Sequence, residues 1–187
     1  MDEEQDLRPL TVDLEDLELA FDSGGGEAAY FLDTATGDVL RLPDEAFRVV
    51  ERLYEEIEDE DPSEDDLRRA LSEHEPMVCE EEDLLLAHKI ESDVDERYLR
   101  VEAEDSSEGY RDMEEFAATV TDQRLRDRMD VALDGRGAFR RFKNVLATST
   151  EERERWFAFK SARLRERIVE WLHAEGIEPI HERRLPS

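Results

Sequence analysis

The stretch LDGRGAFRRFKNVL, from Leu133 to Leu146, sets Arg136, Arg140, Arg141 and Lys143 close together behind two glycines. Gly135 and Gly137 ahead of a helical pattern can leave backbone N–H groups open to an anion, and the guanidinium forks supply the charge that a phosphate takes. The spacing is not a P-loop, which needs G-x-x-x-x-G-K-[ST], and no dinucleotide fingerprint is present. A second group lies in DSSEGYRDMEEF, where Tyr110 and Arg111 stand among Glu108, Asp112 and Glu115. Carboxylates at that spacing share a helix face, where they could hold a divalent cation or serve as a base beside the arginines. Other chemistries lack their residues. His74, His88, His173 and His181 show no H-E-x-x-H and no metal-ligand spacing with cysteine, and Ser106, Ser161 and Cys79 stand in no nucleophile motif. The expected site is therefore an anion- or partner-binding one built from Tyr110, Arg111, Arg136, Arg140, Arg141 and Lys143, with no catalytic residue, no metal and no cofactor. The competing structural reading is a glycine turn between helices whose arginines are paired to the surrounding carboxylates.

Those residues need elements to hold them. On a helix beginning at Ala138, residues Ala138, Phe139, Phe142, Val145 and Leu146 fall on one arc, so both phenylalanines are expected inside and Arg140, Arg141 and Asn144 outside. Upstream, Met113, Phe116, Ala117 and Val120 form one helical stripe, capped by Ser106 or Ser107, and Leu125, Met129, Ala132 and Leu133 form the next after Thr121-Asp122. Downstream, ERERWFAFKSARLRERIVEWL spaces Trp156, Phe157, Leu164, Ile168, Trp171 and Leu172 as a buried stripe, and leaves Phe159 off it as the aromatic expected to be exposed or to bridge elements.

The first hundred residues read differently. TVDLEDLELAF is a short helix capped by Thr11 or Asp13, and YFLDTATGDVLRL is a β-hairpin turning at Thr36-Gly37-Asp38. Pro43 then opens a helix through Phe47, Val50, Leu53, Tyr54 and Ile57. Ser63 caps another short helix through Leu67, Ala70 and Leu71, EEEDLLLAHKI is helical or extended, and RYLRVEA is a strand.

The formal charge is −28, with only Lys89, Lys143 and Lys160 as lysines among 25 basic residues. Residues 1–100 hold 34 acidic and 9 basic residues, so the acidity belongs to the first half. Such acidity repels nucleic acid at long range and suits either a salt-adapted surface or basic partners. Cys79 is alone, so no disulfide framework arises within the chain. No apolar run of membrane-spanning length occurs, and the acidic start MDEEQDL lacks signal-peptide features, which together lead to the expectation of a cytoplasmic protein with no membrane partner.

The segments RYLRVEAEDSSEGYRDMEEF, GRGAFRRFKNVL and ERWFAFKSARLRERIVEWL, in this order and spacing, resemble a bacterial family known as Uncharacterised Protein Family 0158. LEDLELAF and the YFLDTATGDVLRL hairpin extend the likeness to roughly Leu14 to Ile177. The resemblance implies no activity, cofactor or partner. It does mark Tyr110, Arg111, Asp112, Met113, Phe116, Gly135, Gly137, Ala138, Phe139, Arg140, Arg141, Phe142, Trp156, Phe159 and Lys160 as the family's most recognisable positions, and the family often has aspartate where this chain has Asn144.

The resulting expectation is an α+β protein: an acidic portion over 1–100 with a hairpin near 28–41, then a mainly helical portion over 101–187 packed with the first as one unit. Its expected role is non-catalytic, contacting a macromolecular partner, a protein in the first place, through the arginine-rich C-terminal half. The alternatives are nucleic-acid binding through the 136–143 patch, and an enzyme acting on a phosphorylated small molecule with Arg140 and Arg141 on the phosphate and Asp112 or Glu115 as base or metal ligand.

Overall fold

The computed structural model describes residues 7–23, 26–57, 62–73 and 79–180. In chain order its elements are β1 (Arg8–Thr11), α1 (Leu14–Phe21), β2 (Ala28–Asp33), β3 (Val39–Pro43), α2 (Asp44–Glu56), α3 (Glu64–Glu73), α4 (Glu81–Glu91), β4 (Tyr98–Val101), α5 (Ser106–Thr119), α6 (Gln123–Leu133), α7 (Ala138–Leu146), α8 (Thr150–Ala174) and β5 (Ile177–Ile180). The fold is α+β, with the strands concentrated toward the N-terminus and a mainly helical C-terminal part. The chain divides into two compact units, one chiefly Pro9–Glu102 and the other chiefly Ala103–Glu178.

In the first unit β2 and β3 form the expected antiparallel hairpin, with Leu32 opposite Val39 and Phe31 opposite Leu40. The strand expected at RYLRVEA is β4, and it pairs with the other edge of β2, so the hairpin becomes a three-stranded sheet in the order β3-β2-β4. Hairpin periodicity does not announce this long-range partner. Ala46, Val49, Val50 and Leu53 of α2, Leu67 of α3 and Leu84, Leu85 and Ala87 of α4 bury against Phe31 and Leu42 of the sheet. Each fully buried leucine there contributes about 1.5–3 kcal/mol relative to exposure. EEEDLLLAHKI thus resolves as helix: two to three adjacent apolar residues are buried because α2 and α3 both pack on α4. His88 is buried among them, with Nδ1 at 2.5 Å from the Tyr54 hydroxyl. Ser63 caps α3 as expected, its hydroxyl accepting from Asp66 N–H at 3.3 Å while the Asp66 carboxylate accepts from Ser63 N–H at 3.2 Å.

Asp33 at the end of β2 closes the hairpin. Its carbonyl accepts from the N–H of Thr36 and Gly37, its carboxylate accepts from Ala35 N–H at 2.9 Å, and Arg97 holds the same carboxylate through two bonds of 2.8 and 2.6 Å. The Arg97 guanidinium, ahead of the opposing effect of burial, keeps the Asp33 carboxyl below the usual carboxylate range. The unfolded chain lacks that pairing, so Asp33 contributes stability that is fully present above its unfolded pKa, near about 4, and is lost as pH falls through the lower folded value. Asp33→Asn should therefore lower stability at neutral pH and flatten the acid limb of the stability profile below pH 4, read by urea unfolding across pH. An acid limb unchanged by the substitution would show that this carboxylate is not linked to folding.

The second unit is built on α5, α6, α7 and α8. Asp105 caps α5, accepting from Ser107 N–H at 2.7 Å, in place of the serines expected there, because its carboxylate lies one residue ahead of the helix. Asp122 and Ser149 cap α6 and α8. The core joins Met113, Phe116, Met129, Phe142 and Trp156, with the rings of Phe116, Phe142 and Trp156 edge-on at 5.1 to 6.3 Å. Phe159 bridges elements as expected, packing from α8 against Phe116 of α5 and against Trp156, whereas Phe157, expected in the buried stripe, is 60% exposed. On a helix as long as α8 the buried stripe shifts along its length, so positions assigned from one register drift off it. Finally, β1 and β5 form a two-stranded sheet that the sequence pattern did not reveal. No helix of the described residues is long and apolar enough to cross a membrane.

Candidate functional site

α6 ends at Leu133, and its last carbonyls need partners that a continuing helix would have supplied. The chain leaves through Asp134-Gly135-Arg136-Gly137, with Gly135 at φ 79° and Gly137 at φ 78°, both in left-handed conformations that glycine adopts without strain. Two of the six residues singled out from the sequence satisfy those carbonyls. The Tyr110 hydroxyl donates to the Leu133 carbonyl at 2.9 Å, and Arg141 donates from Nε to the Ala132 carbonyl at 3.0 Å and from Nη2 to the Asp134 carbonyl. A guanidinium at a helix C-terminus also complements the helix dipole. Tyr110 and Arg141 therefore hold the α6–α7 junction together.

Arg111 is exposed and ion-paired to Glu108 at 2.6 Å, one turn away on the same helix. Arg136, Arg140 and Lys143 are exposed and have no ion-pair or hydrogen-bond partner among the described residues. Helical geometry accounts for the last two: Ala138, Phe142 and Leu146 face the core of α7, so Arg140 and Asn144 point out and Lys143 stands at the border. Phe139 was expected inside with Phe142 but is 42% exposed. It lies on the α5 side of α7, where a Cβ on Gly109 would come within 3.3 Å of its ring. The missing side chain at Gly109 lets the ring lie over the α5 backbone without sinking into the core.

The two sequence segments thus do meet, at Gly109 with Phe139 and at Tyr110 with Leu133. The depression between them, about 350 Å³, is lined by Tyr110, Glu114, Asp130, Leu133 and Asp134, so its charge is acidic and none of the four basic residues at 136–143 lines it. Asp112 does not face those basic residues either. It is 1% exposed and binds Arg167 through Oδ1 at 3.1 Å and Oδ2 at 2.5 Å, with Arg163 Nε at 3.5 Å. Arg167 Nη2 also lies 2.5 Å from Glu104 Oε1, as an ion pair without hydrogen-bond alignment. The hydrogen bonds that Arg167 donates to Asp112, ahead of the opposing effect of burial, raise the Arg167 pKa above the ordinary arginine value. Glu115 pairs with Arg163 at 3.2 Å. Both carboxylates that an enzyme acting on a phosphate would use are engaged with α8.

Sequence reading missed this cluster as a structural feature. The signal was present: Asp112 sits four residues before Phe116 and next to Met113, on the buried face of α5, and Arg167 sits between Leu164 and Ile168 on α8. A charge at a core position of each of two helices reads as a buried pair. Cys79 offers little as a nucleophile, because burial, followed by the nearby carboxylates of Asp83 and Glu45, pushes its thiol pKa up. Among the described residues no group of three histidine, cysteine or acidic side chains is placed to hold a metal ion.

The sequence profile described as Uncharacterised protein family (UPF0158) matches residues 77–187. A UPF0158 protein of Pseudomonas aeruginosa is 27% identical over 173 residues, covering 92% of this chain and 88% of that protein. No solved structure matches the chain.

Proposed function

We propose that this chain, which belongs to the uncharacterised protein family UPF0158, is a non-catalytic interaction protein whose docking surface is the outward face of α7 with the turn before it. The observation that carries this reading is that Arg136, Arg140 and Lys143 are exposed and have no ion-pair or hydrogen-bond partner among the described residues. In a chain with 53 acidic residues, several arginines elsewhere sit on carboxylates, as Arg68, Arg97, Arg111, Arg163 and Arg167 do. Three neighbouring cations that stay unpaired keep their full donor capacity for another molecule. Phe139 at the edge of the same face adds apolar contact area of the kind that anchors interfaces.

The sign of the charge fits an acidic partner and explains the position of the patch in the otherwise acidic chain. Tyr110 and Arg141 contribute indirectly, by fixing the turn that presents Arg136. The test is charge reversal on the free cations, R136E/R140E/K143E, in tagged full-length protein recovered from the native cell. The triple variant should lose at least tenfold of any partner that the parent retains, while its thermal unfolding midpoint stays within a few degrees because the altered side chains are exposed and make no ion pair or hydrogen bond among the described residues. Equal recovery of the same partners by parent and variant would remove this face from consideration.

A further inference from the structure

Resting on the reading of α7 as a docking face, we infer that its partner is a nucleic acid, held through the phosphodiester backbone by a surface shared between α6 and α7. Residues 123–146 contain seven basic and three acidic residues, a local reversal of sign in a chain of net charge −28. Arg124 and Arg128 stand four apart on α6 and are exposed, and Arg136 and Arg140 stand four apart across the start of α7. A rise of about 1.5 Å per residue places Arg124 and Arg128, both within α6, about 6 Å apart along the helix axis, while Arg136 stands in the turn ahead of the left-handed Gly137 that opens α7.

The two rows are fixed relative to each other. Arg141 reaches back to the Ala132 carbonyl, while Arg128 Nη1 lies 3.3 Å from Thr148 Oγ1 just past the end of α7. α6 and α7 therefore run in opposite directions side by side, with Arg128 on the α7 side of α6. The acids of this segment are disposed differently. Asp130 and Asp134 line the depression beside Tyr110, on the α5 side, and Asp127 is engaged by the Gln123 amide at 2.8 Å.

Two considerations favour phosphate over carboxylate. The chain carries a large excess of its own carboxylates, and among the described residues none of them has taken Arg136, Arg140 or Lys143. An acidic polypeptide recognised through carboxylates alone would compete with every other copy of this protein, whereas a polyphosphate would not. Guanidinium groups carried side by side on two antiparallel helices also suit a polymer of closely spaced phosphates, each phosphate taking a forked donor without regard to the base. The overall acidity does not forbid this. At physiological salt the Debye length is about 8 Å, so charges beyond that distance are largely screened and the local face decides binding.

The test is fluorescence anisotropy with full-length protein and three labelled probes: a 20-base-pair DNA duplex, an RNA duplex of the same length and a polyglutamate peptide. With about four phosphates neutralised, affinity for at least one duplex should fall about 100-fold between 50 and 200 mM KCl. R136E/R140E/K143E should bind that duplex at least tenfold more weakly, whereas R48E/R52E/R69E, with the same charge change on arginines that are already paired, should change it less than threefold. Equal losses in the two variants would reduce the effect to net charge and overturn the inference. Binding of polyglutamate but of neither duplex would also overturn it, leaving α7 as a docking face for an acidic protein. Binding of none of the three would overturn it as well, and the docking-face reading would then be judged by cellular capture alone.

Discussion

Gly37→Ala is expected to destabilise the β2–β3 unit by roughly 3–5 kcal/mol or to prevent its folding, from two costs that add. Gly37 has φ 85°, a left-handed conformation that costs an L-residue about 1–2 kcal/mol. A Cβ at this position would also lie 1.8 Å from the Thr11 carbonyl oxygen, a backbone atom that cannot turn aside as a side chain would. Relieving that overlap means moving either the turn or the end of β1, and the turn is held by the Asp33 carbonyl and carboxylate. Gly135→Ala is the matched control. Its φ of 79° is nearly the same, but a Cβ there meets nothing within 4 Å, so only the conformational cost of about 1–2 kcal/mol applies. Urea unfolding of the two variants should differ by at least about 2 kcal/mol. Equal losses would mean that the close approach to Thr11 relaxes without cost.

This contrast also shows what could be read from the sequence. The TATGD turn reveals that Gly37 reverses the chain, since local turn chemistry is written in adjacent residues. That Thr11 lies against it is a contact between distant segments, and no local pattern encodes it. The same division runs through the fold. The helices α2, α5, α6 and α7 follow from apolar spacing, and the β2–β3 hairpin follows from its turn. The pairing of β4 with β2, and of β1 with β5, depends on partners far along the chain. At the candidate site, periodicity correctly turns Phe142 inward and Arg140 outward. It misplaces Phe139, because the absence of a side chain at Gly109 on another helix decides how deep that ring goes. Composition alone could not separate Arg141, which is spent on the carbonyls at the end of α6, from Arg140, which has no partner among the described residues.

The largest loss in the helical unit should come from Arg167. Its guanidinium bridges Asp112 at 2.5 Å and Glu104 at 2.5 Å, and both carboxylates are nearly or fully buried. Arg167→Met preserves much of the aliphatic stem but leaves two buried carboxylates without their main counter-charge, a change that costs about 3–5 kcal/mol in such settings. Asp112→Ala should cost less, about 2–3 kcal/mol, because Arg167 keeps Glu104 and the side chain of Arg167 retains some solvent exposure. The two losses should not add: the double variant should be more stable than their sum predicts by at least about 1 kcal/mol, the signature of a shared interaction. Arg163→Ala, whose side chain is 38% exposed and whose remaining partners are surface carboxylates, should stay within about 1 kcal/mol of the parent. The consequence reaches the proposed docking face, because α5 carries both Gly109 beneath Phe139 and Tyr110 on the end of α6. Loosening α5 should therefore raise amide hydrogen exchange in α6 and α7 before the unit unfolds globally. An Arg167→Met protein with parental stability and unchanged exchange in residues 123–146 would show that the ion cluster neither holds α5 nor presents α7.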